Sequence, residues 1–365
     1  MSSRKVQTFS ASTVATFRTQ LLAWYDANAR DLPWREDRDP YRVWLSEVML
    51  QQTRVAAVIA HYHEFLRRFP TVEKLARARE ASVLAAWSGL GYYRRARMLH
   101  AAAKVVVREL GGEFPSTAQG LLALPGVGRY TAAAIASIAF GEPVAVVDGN
   151  VERVLQRVSG RRMAGEDFWR AAEGLLDRER PGDFNQAMME LGATVCTPRA
   201  PACLTCPVVG LCATRGEMPG ARKAARQKKR EIHYALDIRS NGLRGGEVFL
   251  VQRARDERLM AGMWELPEVV PPLGAKAQSN GAEIAALKLL RHSKARRGTS
   301  VEPCFTLKHS ITVTDYTVRV WRTVAPSNAG GKWIPEENLA RVALTGLARK
   351  ILRKAEIIAG NHRWV

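Results

Sequence analysis

The segment LLALPGVGRYTAAAIASIAFG, residues 121–141, decides the fold of the first half of the chain. Its two apolar stretches have helical spacing, and Pro125-Gly126-Val127-Gly128 separates them, which predicts a helix, a tight hairpin and a second helix. Glycines at 126 and 128 let a phosphate approach the backbone, and the N-terminus of the following helix favours negative charge. The segment therefore predicts a sequence-neutral DNA-binding hairpin, although a plain turn between two helices has the same pattern.

The charge of the whole chain also favours a polyanionic partner. Its 365 residues include 55 Lys and Arg against 35 Asp and Glu, a net charge of +20, which attracts nucleic acid over long range. No apolar run reaches the roughly 18 residues that span a bilayer, and the first residues lack the apolar core of a signal peptide. We therefore expect a cytoplasmic protein, associated with the nucleoid if bacterial, with no membrane partner and with reduced cysteines.

The pattern of apolar residues changes along the chain and predicts two domains. Residues 10–212 have helical spacing throughout. Residues 213–231 are rich in Lys and Arg and poor in apolar residues, which is typical of a linker. Residues 232–365 alternate as strands do around a Gly-rich turn, with helices expected at about 281–293 and 336–356. The fold class is thus a mainly α domain followed by an α+β domain.

Four cysteines, Cys196, Cys203, Cys206 and Cys212, have the spacing C-x6-C-x2-C-x5-C. Four thiols so close together in a reducing compartment are expected to share a metal rather than to form disulfides. Tetrahedral thiolate ligation suits either zinc or an iron–sulfur cluster, and the spacing alone leaves both open.

Glu47 is the first of two carboxylates that suggest chemistry. Its neighbours at helical spacing, such as Val43, Trp44 and Leu50, are apolar. Burial on such a face raises the pKa of a carboxyl, as a general acid near neutral pH requires. A buried glutamate paired with an arginine is the alternative.

Asp148 is the second carboxylate, at the end of the apolar run VAVV and just before a predicted helix whose N-cap we expect to be Asn150. The free amides and dipole of that helix favour the ionised form, although Asp148 could simply help to start the helix. A protonated carboxyl and an ionised one together form the pair that cleaves a glycosidic bond.

Several motifs together resemble one family. They are RDLPWR (30–35), SEVMLQQT (46–53), GLGYYRRAR (89–97), LPGVGRYTA (124–132) and VVDGNVERVL (146–155). Over about residues 15–215 the chain resembles the MutY family of adenine DNA glycosylases, in the helix-hairpin-helix DNA glycosylase superfamily. The resemblance implies a [4Fe-4S] cluster at the four cysteines.

The resemblance also implies a mechanism. The adenine is flipped out of the duplex, Glu47 protonates its N7, and Asp148 stabilises the oxocarbenium-like sugar or forms a covalent intermediate with it. Asn150 assists around Asp148. Positions that match the base pocket of the family are Arg30, Leu32, Trp34, Arg35 and Gln186. Gln52 and Tyr92 match residues that fill the disturbed duplex, although Trp34 and Tyr92 could equally be core aromatics.

Tyr130 distinguishes two branches of the superfamily. Lyase relatives of the endonuclease III kind carry a lysine here, which forms a Schiff base with the sugar. Because tyrosine cannot form an imine, the resemblance implies base removal without a lyase step. It also implies a hydrogen bond from the Tyr130 hydroxyl to Asp148.

The second domain resembles the Nudix-like C-terminal domain of the same family, through GMWELPEVV (262–270), the strand at 305–320 and KWIPEENL (332–339). The glutamate cluster of a Nudix metal-binding helix is missing from 282–298, so the resemblance implies recognition of the opposite 8-oxoguanine rather than nucleotide hydrolysis. Ile311-Thr312-Val313 replaces the Phe-Ser-His of many members. Thr312 still offers a hydroxyl to the lesion, and the preference for 8-oxoguanine is expected to be weaker or differently built.

The sequence therefore favours a monomeric adenine DNA glycosylase that acts on A:8-oxoguanine or A:G mispairs in double-stranded DNA. A pyrimidine-lesion glycosylase and lyase is one alternative, against which Tyr130 and the second domain argue. A non-catalytic DNA-binding protein is the other, and the presence of both Glu47 and Asp148 argues against it.

Overall fold

The computed structural model describes residues 10–218, 228–240, 246–257, 259–270, 302–311 and 314–358. The chain divides into two compact units. The first contains Met1–Ala78 and Arg95–Arg222, and the second contains Arg79–Arg94 and Lys223–Val365.

Helices dominate the described part of the first unit. In chain order the α-helices are α1 Ala11–Asn28, α2 Pro40–Leu50, α3 Val55–Arg68, α4 Val72–Arg77, α5 Glu80–Trp87, α6 Arg94–Glu109, α7 Ala118–Leu121, α8 Arg129–Phe140, α9 Gly149–Ser159, α10 Glu166–Leu175 and α11 Pro181–Thr194, of which α5 belongs to the second unit. The mainly α class expected of this part of the chain is confirmed. Within the described ranges, no helix is both long and apolar enough to cross a membrane.

Polar residues at the N-terminal ends explain where two of these helices start. Asp39 accepts hydrogen bonds from the backbone N–H groups of Tyr41 and Arg42, and Pro40 occupies the first turn of α2. Thr117 caps α7 through Gly120 N–H. These polar caps fix the start of α2, which carries Glu47, and the start of the hairpin.

Helix α11 is the centre of the first unit, where it packs against α1, α8 and α9, while α2 packs against α8. Its core partners include Phe17, Leu155 and Leu175, all nearly inaccessible to solvent. A close approach at Gly192 brings α11 against the start of α9, since a Cβ there would lie 2.6 Å from the Asn150 Cβ. This packing brings residues of α2, α8, α9 and α11 to one place.

The hairpin between α7 and α8 has the predicted form. Gly126 has a φ of +75°, and a Cβ at this position would lie 2.4 Å from the Cβ of Met98. Gly128 is the N-cap of α8 in extended backbone, with open space where a Cβ would be. Gly126 is therefore required by the fold, whereas Gly128 leaves the backbone accessible from outside.

Two sheets, a helix near the C-terminal end and the earlier helix α5 make up most of the described part of the second unit. The strands are β1 Lys228–Ala235, β2 Ile238–Ser240, β3 Gly246–Gln252, β4 Trp264–Glu265, β5 Phe305–Ile311, β6 Thr314–Trp321 and β7 Lys332–Pro335, and helix α12 is Gly346–Lys354. One sheet has the order β1-β6-β5, with β1 parallel to β6; in the other, β3 pairs with β2, β4 and β7. The expected α+β class is confirmed.

Several boundaries in this unit differ from the sequence expectation. Strand β1 begins at Lys228, inside the segment expected to be linker, because its backbone pairs with β6. The strand expected at 305–320 is an antiparallel hairpin of two strands. The helix expected at 336–356 is a 3₁₀ segment, Glu336–Arg341, followed by α12. The helix expected at 281–293 lies outside the described residues.

Helix α5 and the residues after it belong to the second unit, although they lie early in the chain. The hydroxyls of Ser88 and Tyr93 both donate to the Leu344 carbonyl, at 2.9 and 3.1 Å. Arg349 donates from Nε to the Ser88 oxygen at 2.9 Å. The sequence contained no signal for this arrangement.

Candidate active site

A cavity of about 750 Å³ opens where α2, α8, α9 and α11 meet in the first unit. Its volume is within the range of small-molecule sites in proteins. It is lined by most of the residues that the sequence singled out, namely Arg30, Leu32, Trp34, Arg35, Glu47, Gln52, Gly126, Gly128, Tyr130, Asp148, Asn150 and Gln186. The structure thus brings together residues from four of the five motifs, and adds Gln186 from α11.

Glu47 lies in the last turn of α2 and is only 6% exposed. Burial raises the pKa of its carboxyl to about 7; the nearby Asp148 charge adds to this, while the hydrogen bond from Tyr130 and the charge of Arg35 oppose it. Its hydrogen-bond partner is Tyr130 rather than an arginine, so the alternative of a structural ion pair is not what the structure has. This carboxyl is able to carry a proton at neutral pH.

Tyr130 differs from expectation in its partner. Its hydroxyl donates to Oε2 of Glu47 at 2.6 Å, and the Sδ of Met189 lies 3.4 Å from it. We expected this hydrogen bond to go to Asp148. The reason for the difference is that α8 packs on α2, which places the ring against the last turn of α2.

Asp148 is itself the N-cap of α9, a role that we expected of Asn150. Its Oδ1 accepts from the backbone N–H groups of Asn150 and Val151, at 2.9 and 2.8 Å. Its Oδ2 accepts from the side-chain amide of Asn150 at 2.9 Å. Three N–H groups therefore hold this carboxylate at the positive end of α9, beside the cavity.

Glu190 organises the polar wall of the cavity, and sequence reasoning missed it. It is 1% exposed and forms ion pairs with Arg30 and Arg35, at 2.6 and 2.9 Å. Burial alone raises the pKa of this carboxyl, but the hydrogen bonds and charges of the two arginines outweigh it and the pKa lies below its usual value. Glu190 lies one helical turn after Gln186, and this spacing could have revealed it.

The same arginine wall fixes the amide of Gln186. Arg35 donates from Nε to Oε1 of Gln186 at 3.0 Å while its Nη2 binds Glu190. Because one planar guanidinium binds both partners, the orientations of the carboxylate and the amide are coupled. The cavity therefore has a polar wall whose donors and acceptors are fixed in advance.

An apolar wall faces the same cavity. Leu32 and Trp34 are 5% and 7% exposed, and the ring of Trp34 meets the ring of Tyr62 edge-on at 5.5 Å between centroids. Trp34 is thus both a core aromatic and a cavity residue. A flat ring and a branched aliphatic chain beside fixed polar groups suit a planar heterocyclic base.

One of the predicted residues lies away from the cavity, and another is outside the described ranges. Tyr92 belongs to the second unit, is 48% exposed and has a φ of +48°; it does not line the cavity. Thr312 lies outside the described residues. Their predicted roles in the duplex and at the opposite base therefore stay predictions.

The four cysteines line a second, smaller cavity in the same unit. Apolar residues of α9 and α11, among them Val154 and Leu191, complete its wall. All four thiols are free of disulfides. Among the described residues, no three His, Cys, Asp or Glu side chains are gathered as ligands of one metal ion. Four thiols around one cavity are a donor set consistent with an iron–sulfur cluster.

Two arginines connect the cysteine loop to the helix that begins at Asp148. Arg157 donates from Nη1 to the sulfur of Cys196 at 3.3 Å. Arg153 donates from Nε to the Cys196 carbonyl at 2.7 Å and from Nη2 to Oδ1 of Asn150 at 2.7 Å. The loop is therefore held against α9 at Arg153 and Arg157.

Comparison with known proteins agrees with this geometry. Residues 45–167 match the family described as "HhH-GPD superfamily base excision DNA repair protein", and residues 242–354 match the family described as "NUDIX domain". A solved structure of a thermostable thymine-DNA glycosylase is similar to 56% of this chain and 97% of its own, with a TM-score of 0.53 and 31% identity. The fold and the cavity define a DNA N-glycosylase of the helix-hairpin-helix class.

Relatives along the whole chain specify the family further. The adenine DNA glycosylase of Homo sapiens is 38% identical over 410 residues, which cover 93% of this chain and 74% of the relative. The adenine DNA glycosylase of Mycobacterium tuberculosis (strain ATCC 25618 / H37Rv) is 47% identical over 197 residues, 52% of this chain and 65% of the relative. The chain belongs to the adenine DNA glycosylase family and removes adenine in base excision repair.

Proposed function

We propose that the enzyme hydrolyses the N-glycosidic bond of adenine opposite 8-oxoguanine or guanine in duplex DNA. The observation that carries this proposal is Glu47, a buried carboxyl with a pKa of about 7 that shares one cavity with the carboxylate of Asp148. Cleavage of a glycosidic bond requires one proton donor and one negative group near the sugar.

The adenine enters the cavity only after it has left the base stack. Leu32 and Trp34 supply the apolar surface for the ring, and the wall of Arg30, Arg35 and Gln186 supplies polar contacts to its edge. The ion pairs with Glu190 hold both arginines before the base arrives, so binding does not require their rearrangement.

Glu47 transfers its proton to N7 of the adenine as the bond between base and sugar breaks, so that the base leaves as a neutral species. Asp148 stabilises the positive charge that develops on the sugar or forms a transient bond to it, and water then completes the hydrolysis. Asn150 fixes the oxygens of Asp148 through its backbone and side-chain N–H groups.

Tyr130 has a positioning role in this proposal. Its hydroxyl holds the carboxyl of Glu47, and it has no amine with which to form an imine. The enzyme therefore releases the base without cutting the strand.

The four cysteines are proposed to hold a [4Fe-4S] cluster. Support comes from the four thiols that line one apolar cavity and from Arg157, whose charge lies beside the Cys196 sulfur. Cys196, Cys203, Cys206 and Cys212 would hold the cluster through their thiolates, and the bound cluster would cross-link the loop that α9 supports.

Recognition of the opposite base is assigned to the Nudix-like second unit. Support comes from the match of residues 242–354 to the NUDIX domain family. Because Ile311-Thr312-Val313 replaces the Phe-Ser-His of many members, we expect Thr312 to supply the polar contact and the preference for 8-oxoguanine over guanine to be modest. Tyr92 and Gln52 are proposed to fill the duplex beside the flipped base. We propose that the enzyme acts on DNA as a monomer.

Single-turnover release of adenine from duplexes with A:8-oxoguanine and with A:G tests the proposal. Asp148→Asn is expected to bind duplex normally but to release adenine ~10³-fold more slowly or worse. Glu47→Gln is expected to release adenine ~10²–10⁴-fold more slowly near pH 7. Strand breaks should appear only after alkali. Direct nicking of a thymine-glycol duplex, with adenine untouched, would contradict the proposal, as would equal loss of binding and release in Asp148→Asn.

A further inference from the structure

The last turn of α2 carries Glu47, and its carbonyl groups need partners from outside the helix. The last four carbonyls of any α-helix lack an intrahelical N–H donor, and helix ends fray unless these groups are bound. Here the chain leaves α2 at Gln51 and continues into Gln52, whose φ of +57° is unusual for a residue with a side chain. Donors from outside the helix must therefore bind these carbonyls for Glu47 to keep one position.

One side chain binds most of this turn. Arg95, in the first turn of α6, donates from Nη1 to the carbonyls of Val48, Met49 and Gln51, at 2.8, 2.9 and 2.5 Å. It donates from Nη2 to the hydroxyl of Thr53 at 3.1 Å. The first of these carbonyls belongs to the residue directly after Glu47.

We infer that Arg95 is a positioning residue for base release, which holds the last turn of α2 so that Glu47 stays buried against Tyr130. The inference rests on the proposed role of Glu47 as the acid. Arg95 does not line the cavity, so it acts through the α2 backbone and not through contact with the base.

The form of the contact explains why arginine is required. A planar guanidinium presents donors in several fixed directions, and this one binds three carbonyls and a hydroxyl at once. Its positive charge also lies at the negative end of the α2 dipole. A lysine at position 95 keeps the positive charge but not the two nitrogen arms of the guanidinium. It should therefore restore only part of the rate of adenine release.

The same contact orders the cavity mouth. Gln51 and Thr53, which Arg95 binds, flank Gln52, and all three line the cavity. Gln51 also donates from its side-chain amide to the Thr131 hydroxyl at 3.3 Å, which joins this segment to α8. Loss of Arg95 therefore loosens the turn that carries Glu47 together with the adjoining segment of the cavity mouth.

The test is single-turnover adenine release by Arg95→Gln at saturating enzyme, at pH values from 5 to 9. We expect a loss of ~10²-fold, the effect of a displacement of about 1 Å at a reacting group. Affinity for a duplex with a non-hydrolysable adenosine analogue should change by less than about 3-fold. Water that reaches Glu47 lowers its pKa, so the pH above which release falls should move down. Arg95→Lys should recover part of the rate.

Arg108→Gln is the matched control, because Arg108 is an exposed residue on the same helix. The substitution removes the same positive charge as Arg95→Gln does. This variant should release adenine at the wild-type rate. If Arg95→Gln is not recovered as folded protein, Thr53→Val removes the Nη2 contact together with the 3.3 Å bond from the Thr53 hydroxyl to the Gln51 carbonyl. It should show a smaller loss of release, of about 3- to 10-fold, with the same direction of the pH shift.

Glu47→Gln, measured beside these variants, separates this inference from the proposed function. Full release by Glu47→Gln would overturn the role of Glu47 and the inference with it. Loss of adenine release in Glu47→Gln, with wild-type release in Arg95→Gln or Thr53→Val, would overturn the inference and leave the role of Glu47 intact. A loss of release matched by an equal loss of duplex binding, with an unchanged pH profile, would also overturn it.

Discussion

The carboxyl of Glu47 is subject to opposing influences from its neighbours. Burial, the largest, raises its pKa; the hydroxyl of Tyr130 stabilises the carboxylate and lowers it; Asp148 raises it and Arg35 lowers it. The result is a pKa of about 7. A group with this pKa is an effective proton donor near neutral pH, because the protonated form is populated and still gives up its proton readily.

Replacement of Tyr130 by phenylalanine should move the pH dependence of release upwards. In the proposed mechanism release requires protonated Glu47, so the wild-type rate should fall above about pH 7. The lost hydrogen bond stabilised the carboxylate, and at about 1.5 kcal/mol for a bond to a charged group its loss raises the pKa by roughly one unit. Single-turnover rate constants between pH 5 and pH 9 measure this shift.

Tyr41→Phe is the control for this change. Tyr41 also lies on α2, but its hydroxyl donates to the Phe69 carbonyl at 2.7 Å and not to Glu47. It should leave the pH profile in place. A profile for Tyr130→Phe that stays in place or moves to lower pH would show that the hydroxyl does not act on the acid as described.

Single residues were predicted from the sequence when local pattern set their surroundings. The apolar face around Glu47 follows from helical spacing, and the place of Asp148 follows from the end of an apolar run. The partner of Tyr130 was predicted wrongly because it depends on how α8 packs on α2. Glu190 was missed since its partners, Arg30 and Arg35, lie about 155 to 160 residues away in the chain.

Among the elements, the hairpin between α7 and α8 uses its two glycines for different purposes. Gly126 has positive φ and no room for a Cβ beside Met98, so the fold itself requires it. Gly128 has ordinary φ and open space around it, and it is the N-cap of α8. Glycine is a common N-cap residue, and at this open position it also leaves the backbone accessible to a ligand.

Alanine should therefore affect stability at one of these positions and DNA binding at the other. Gly126→Ala should lower the free energy of unfolding by about 2 kcal/mol or more, from positive φ and the contact with Met98. Gly128→Ala should change it by less than about 1 kcal/mol but weaken duplex binding several-fold. Urea unfolding followed by circular dichroism and fluorescence anisotropy with a duplex measure the two quantities. Normal duplex binding by a folded Gly128→Ala protein would contradict the proposed phosphate contact.

Elements with strong local signals were predicted, and those that depend on distant pairing were not. The proline, the glycines and the helical spacing of 121–141 indicate the hairpin directly. Lys228–Glu231 has no apolar alternation and was assigned to a linker. It is a strand because its backbone pairs in parallel with Thr314–Thr317 of β6, and no pattern local to either segment encodes that pairing.

At the scale of the whole molecule, the units do not follow chain order. Residues 79–94 lie between α4 and α6 in the chain, yet they belong to the second unit. The bond from Ser88 to the Leu344 carbonyl joins residues 256 positions apart. Composition predicted two domains and a polyanionic partner, but it contains no information on such a contact.

A fragment that ends within residues 219–227 should therefore lose local order in residues 79–94. It keeps Ser88 and Tyr93 but lacks the Leu344 carbonyl that accepts from both and the Arg349 that binds Ser88. Segments with few remaining contacts open at low free-energy cost. Hydrogen exchange followed by mass spectrometry should show the amides of α5 exchanging at least ~10-fold faster in the fragment than in the full chain.

Helix α11 provides the internal control for this measurement, since its partners α1, α8 and α9 all remain in the fragment. Its amides should keep their protection. In the full chain, Ser88→Ala removes one of the two donors to Leu344 and should raise exchange in α5 by a smaller factor. Equal protection of α5 in the fragment and in the full chain would show that residues 79–94 fold without the C-terminal half, because their order would then depend only on contacts that the fragment retains.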